Sequence, residues 1–121
     1  MTKRVLVVED TEDNRQILRD LLTNAGYELI EAVDGAAGVA MAASGKPDLV
    51  LMDIQLPVMD GYEATRRIKA DPALAHIPVI AVTSYALSGD EEKTRAAGCN
   101  GYIAKPFSPR QLLSKVREFV G

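Results

Sequence analysis

An open α/β fold, a parallel sheet with helices on both faces, is what this sequence predicts, on three observations. The apolar runs RVLVV (4–8), LVLM (49–52) and VIAV (79–82) lack polar alternation, which is how strands covered on both faces read. Segments with helical spacing stand between the strands along the whole chain. Each of four strands ends in polar or charged residues, the edge where ligands bind in such folds.

The elements follow in order. Strand 4–8 leads into Glu9-Asp10-Thr11-Glu12-Asp13, of which Glu12 and Asp13 suit an acidic first helical turn favoured by the helix dipole. Ile17, Leu18, Leu21, Leu22 and Ala25 form one apolar stripe, with Gly26 at a C-cap position. ELIEA (28–32) alternates and suits an outer strand. A second, alanine-rich helix over about 35–44 is expected to stop at Gly45, with Pro47 beyond. Asp60 with Glu63, and Ser88 with Glu91, carry capping-box spacing before the third and fourth helices. GYIA (101–104) is a short fifth strand. Ser108, Pro109 and Gln111 supply the N-cap, N1 proline and third residue of a capping box before the stripe Leu112, Leu113, Val116, Phe119, Val120.

Composition bounds the function. The 121 residues make one domain, 1–121, 47% hydrophobic and 26% charged, ordinary for a globular protein. A net charge of −3 gives no basic excess for nucleic acid. Cys99 is the one cysteine, so no internal disulfide forms and a reducing cytoplasm fits. The apolar run in MTKRVLVVED is too short for a signal peptide, and nothing approaches a membrane span. A cytoplasmic monomer without membrane contact is expected, since no apolar stripe is left over.

The strand ends carry the chemistry: Glu9-Asp10 after the first, Asp53 after the third, Thr83-Ser84 after the fourth and Lys105-Pro106 after the fifth. If the first and third strands are neighbours, three carboxylates converge. At ~5 Å and an effective dielectric of ~20, each pair repels by roughly 3 kcal/mol. Such a cluster requires a cation or a bound proton. An all-oxygen donor set suits Mg²⁺. Metal, lysine and hydroxyl together make a receptor for a phosphoryl group, and an aspartate can itself accept that group.

Glu9-Asp10, Asp53, Thr83 and Lys105-Pro106, within VLVVED, PDLVLMDIQLPVMDG, IPVIAVTS and GYIAKPF, resemble the receiver domain of two-component response regulators. The resemblance covers residues 4–120. AHIPVIAVT and GDEEKTRAAGCNGYIAKP are similar to DivK-like single-domain regulators, and MDIQLPVMDG equally to receivers attached to hybrid histidine kinases. It implies a flavodoxin-like (CheY-like) three-layer α/β/α fold, with strand order 2-1-3-4-5 and five helices. It also implies a phosphorylation-dependent signalling switch rather than an enzyme, one that assists its own phosphoryl transfer and slow autodephosphorylation. Asp53 would take a phosphoryl group from a phosphohistidine on a histidine kinase or histidine phosphotransfer protein. Glu9, Asp10, Asp53 and the backbone carbonyl of Gln55 would hold Mg²⁺, with Mn²⁺ as a substitute. Thr83, Ser84, Lys105 and Tyr102 would bind the phosphoryl or follow it, and Pro106 would sit behind a cis peptide bond. Gln55 and Tyr85 would tune dephosphorylation, and the face of helix four, strand five and helix five would meet the downstream protein.

Ser84 departs from the small apolar residue usual at its place. Two other classes stay open on the residues. A Mg²⁺-dependent phosphohydrolase of the haloacid dehalogenase type shares the Asp, Thr and Lys logic but needs a second acid where this chain has Gln55. A flavodoxin-like cofactor binder needs phosphate donors in a first loop that is here acidic. His76 is expected to be a loop residue, Cys99 a packing residue, and Arg66, Arg67 and Lys69 a solvated helix face.

Overall fold

β1 (Arg4–Val8), β2 (Glu28–Ala32), β3 (Leu49–Asp53), β4 (Val79–Thr83) and β5 (Gly101–Ala104) form one parallel sheet in the order β2-β1-β3-β4-β5. Helices α1 (Glu12–Asn24), α2 (Gly35–Gly45), α3 (Gly61–Ala70), α4 (Asp90–Ala97) and α5 (Pro109–Val120) alternate with them. The structure is a computed structural model; it describes residues 2–83 and 90–120, without the side chains of Asp90 and Glu91. The expected α/β/α fold and strand order are both present.

Successive residues of a strand project to opposite faces, so a strand covered on both sides has to be apolar throughout. Val5 and Val7 of β1 join Leu49, Leu51, Ile80 and Val82 beneath Leu18 and Leu22 of α1 and Leu112 and Val116 of α5. Leu6 and Val8 join Val50 and Met52 on the other face, beneath Ala42, Ala64 and Ile68 of α2 and α3. Every residue of β3 and β4 is buried, whereas edge strand β2 leaves Glu28 exposed, as its alternation implies.

The helix ends test the capping signals. At α5 the box is complete: the Gln111 amide donates to Ser108 Oγ (3.1 Å) and the Ser108 amide to Gln111 Oε1 (2.9 Å). At α3 it is half formed. The Glu63 amide donates to Asp60 Oδ1 (2.9 Å), but the Glu63 side chain turns to Arg66 and Arg67. Ser88 lies outside the described residues. Gly26 has the left-handed φ of +95° expected after α1. At α2 the left-handed residue is Lys46 (φ +46°), one beyond the expected stop. Gly45 stays in the helix, where a Cβ would come 2.5 Å from Ile30 Cδ1.

Two other expectations are corrected. Ile17 does not join the α1 stripe; its side chain is 55% exposed, while Leu18 and Leu22 carry the buried face. Lys69 is not solvated like Arg66 and Arg67. It lies half-buried, and its Nζ donates to the carbonyls of Ala75 (3.1 Å) and Ile77 (2.6 Å), tying α3 to the segment before β4. His76 is an exposed loop residue. Cys99 packs with its Sγ 3.8 Å from Thr65 Oγ1, and burial raises its pKa, which disfavours the thiolate. Among the described residues, no helix is long and apolar enough to cross a membrane.

Candidate functional site

Strand register builds the site. β1 and β3 pair with Val8 opposite Met52, so the next residue of each, Glu9 and Asp53, are brought side by side at the sheet's C-terminal edge. β4 and β5 pair with Thr83 opposite Ala104, which places Lys105 immediately beyond. The Lys105 amide donates to the Thr83 carbonyl (2.7 Å), holding the lysine at that edge, and the Lys105–Pro106 bond is cis.

Glu9, Asp10 and Asp53 each offer a carboxylate oxygen, all within 4.8 Å of one another. Lys105 Nζ is 3.3 Å from Asp53 Oδ2 and 3.7 Å from Glu9 Oε2. Glu9 is 3% exposed and Asp53 6%, whereas Asp10 is exposed. Among the described residues, one ammonium, paired with Glu9 and Asp53, therefore stands against a cluster of three carboxylates. Burial, with the neighbouring Asp53 adding to it, pushes the Glu9 carboxyl up to about 7, against the opposing pull of Asn14 and Lys105. The carboxylates are crowded when no cation lies among them. Three hard oxygen donors around one point fit a small divalent ion such as Mg²⁺.

The segment after Asp53 is held to the same edge. The Ile54 amide donates to the Val82 carbonyl (3.1 Å), the Gln55 amide to Asp53 Oδ1 (3.1 Å) and the Gly61 amide to the Ile54 carbonyl (3.0 Å). Gly61 is required there: a Cβ would come 2.3 Å from the Asp53 carbonyl oxygen and 2.7 Å from Ile54 Cα. Between them, Val58 (φ +68°) caps a tight turn closed by the Met59 amide on the Pro57 carbonyl (2.7 Å). A β-branched residue in that conformation is strained, and no sequence signal announced it.

Of the residues singled out from sequence, Glu9, Asp10, Asp53 and Lys105 come together. Thr83 is fully buried at the end of β4, and Gln55 is exposed. Tyr102 is half-buried on β5 and lines a groove with Ser114, Lys115 and Glu118, away from the carboxylates. Ser84 and Tyr85 lie outside the described residues.

Two residues of α1 were not foreseen. Asn14 Nδ2 donates to Glu9 Oε1 (2.7 Å), and Arg15 Nη1 donates to the Glu9 carbonyl (2.8 Å). Both lie in a stretch where the acidic first turn was the dominant signal. A cavity of about 540 Å³ opens at the site, lined by Glu9, Asp53 and Lys105 together with Asn14, Ile17 and Leu18 of α1 and by Pro106 and Phe107 ahead of α5.

Comparison with known proteins places this arrangement. The family model for the response regulator receiver domain matches residues 5–117. The polar-differentiation response regulators DivK of Brucella ovis and Brucella anthropi are each 46% identical over 121 residues, covering 100% of this chain and 98% of theirs. The receiver domain of sensor histidine kinase PA1611 from Pseudomonas aeruginosa, solved with a magnesium ion coordinated in its active-site cleft, superposes with a TM-score of 0.93 at 38% identity, over 100% of this chain and 99% of that one. Chemotaxis protein CheY4 of Vibrio cholerae gives 0.93 at 28% identity, over 98% and 99%. An edge built from three strands, in a fold and sequence shared this fully, leads to one assignment: the chain belongs to the response regulator receiver domains of two-component systems.

Proposed function

We propose that residues 1–121 act as a single receiver and phosphorylation-dependent switch in which Asp53 accepts a phosphoryl group from a phosphohistidine on a histidine kinase or histidine phosphotransfer protein. The observation that carries this is the gathering of Glu9, Asp10 and Asp53 within 4.8 Å, with Lys105 3.3 Å from Asp53. A carboxylate oxygen of Asp53 attacks phosphorus, the N–P bond of the donor breaks, and an aspartyl phosphate forms as the imidazole leaves. Glu9, Asp10, Asp53 and the Gln55 carbonyl would hold Mg²⁺, or Mn²⁺ in its place. When bound, that ion neutralises charge on the transferring group.

Lys105 holds the Asp53 carboxylate before transfer and pairs with a phosphoryl oxygen after it. Thr83 and Ser84 supply hydroxyls to the phosphoryl, Gln55 and Tyr85 set access for hydrolytic water, and Tyr102 follows the change. The altered face of α4, β5 and α5 then exchanges protein partners. No small-molecule turnover is assigned to the chain, and its place of action is the cytoplasm. Exposure to acetyl phosphate with Mg²⁺ is expected to add one phosphoryl group by intact mass. Absence of that mass, or equal labelling of Asp53→Asn, overturns the assignment.

A further inference from the structure

We infer that Asn14 is a positioning residue for the cation site: it aims the Glu9 carboxylate at the point Glu9 shares with Asp10 and Asp53. Asn14 Nδ2 donates to Glu9 Oε1 at 2.7 Å, whereas Lys105 approaches the other oxygen only to 3.7 Å, beyond hydrogen-bond distance. A glutamate carries two more rotatable side-chain bonds than its backbone fixes, so a short bond from outside decides where its oxygens point. The amide is suited to the task because it donates without carrying charge. A lysine or arginine at this position would hold the carboxylate equally well, but would oppose an incoming cation.

The donor is also rigidly mounted. Asn14 lies in the first turns of α1, and the next residue, Arg15, donates to the Glu9 carbonyl at 2.8 Å. The two neighbours hold Glu9 at both ends, side chain and main chain. Partners of this kind behind a metal ligand typically change metal affinity by about 10–100-fold when removed.

The inference rests on the Mg²⁺ reading of the carboxylates, and the experiment separates the two. Mg²⁺ alone is titrated into the ¹⁵N-labelled full chain, following the amides of Glu9, Asp10 and Asp53. Asn14→Leu, close to the same shape, and Asn14→Ala are expected to weaken Mg²⁺ binding by about ten-fold. Gln16→Leu, exposed on the same helix, leaves it unchanged. Labelling by acetyl phosphate should slow in both Asn14 variants at low Mg²⁺ and return to within about two-fold of wild type at saturation. Wild-type affinity in both variants, or a rate deficit that saturating Mg²⁺ does not restore, overturns the role of Asn14. A wild-type chain that shows no Mg²⁺ response overturns the metal reading beneath it, a separate and recognisable result.

Discussion

Two ion clusters stand a few residues apart and are built on opposite plans. On the α1–β2 flank, Arg15 and Arg19 face Glu12 and Glu31: Arg19 Nε lies 2.7 Å and Arg15 Nε 3.3 Å from Glu31, and Arg19 Nη2 lies 3.2 Å from Glu12. Charge is balanced there, and the arginines hold both carboxyls below their ordinary range. At the sheet edge, one lysine faces three carboxylates and Glu9 is pushed the other way. A balanced cluster on the surface needs nothing further and adds little to stability. A half-buried cluster with surplus negative charge is unfavourable alone and becomes favourable when a cation arrives. The imbalance is what sets the candidate site apart from the α1–β2 flank.

Among the described residues Lys105 is the cation paired with this cluster, and removing it has the largest effect. Lys105→Met is expected to destabilise the metal-free protein by roughly 2–3 kcal/mol at pH 8, measured by urea unfolding, because it leaves buried carboxylates unpaired. Added Mg²⁺ should recover much of the loss.

The pH response comes next. The folded pKa of Glu9, about 7, lies above the ordinary value of 4.5, so the folded state holds the proton more tightly. That contribution is complete below pH 4.5 and is lost as pH rises through 7. Metal-free stability should therefore fall by something on the order of 2 kcal/mol between pH 5 and pH 8, and Glu9→Gln should flatten the profile. Glu12, Glu31 and Glu63 are shifted down, so their contribution is present above the ordinary carboxylate pKa and lost only at lower pH. The two windows do not overlap.

Substitutions within each cluster should differ in sign. Asp53→Asn removes one member of the repelling set and should stabilise the metal-free protein at pH 8 by about 1 kcal/mol, read as a raised unfolding midpoint. Glu31→Gln, in the balanced network, should cost only about 0.5 kcal/mol and less at high salt. Destabilisation by Asp53→Asn would break the contrast.

The sheet was legible because burial on both faces forces continuous apolar strands, and RVLVV, LVLM and VIAV admit little else. Asp53 was legible because a charge closing such a strand has few bland explanations, and Lys105, by itself an ordinary surface lysine, because it stands between a strand and Pro106. What escaped depended on angles that no short pattern encodes. The α1 periodicity could not show that Ile17 falls on the flank beside the site, because stripe edges are set by where the helix docks. Lys69 looks like its neighbours until the loop carbonyls it meets are known. Glu9 and Asp10 are chemically alike and adjacent, yet one is buried and the other exposed, since Glu9, just past β1, still bonds its amide to the Ala32 carbonyl and the chain bends away at Asp10. Asn14 bonds a residue five positions earlier across that same bend.

The pairing of Val8 with Met52 has a consequence for folding. No stretch of nearby residues can assemble the carboxylate–lysine cluster locally, because its components arrive at the ends of β1, β3 and β5. A copy with an incomplete sheet would carry Asp53 without the carboxylates and lysine that surround it in the finished fold. The surplus of negative charge therefore comes into being only when distant strands have docked, which makes the cluster a late product of folding.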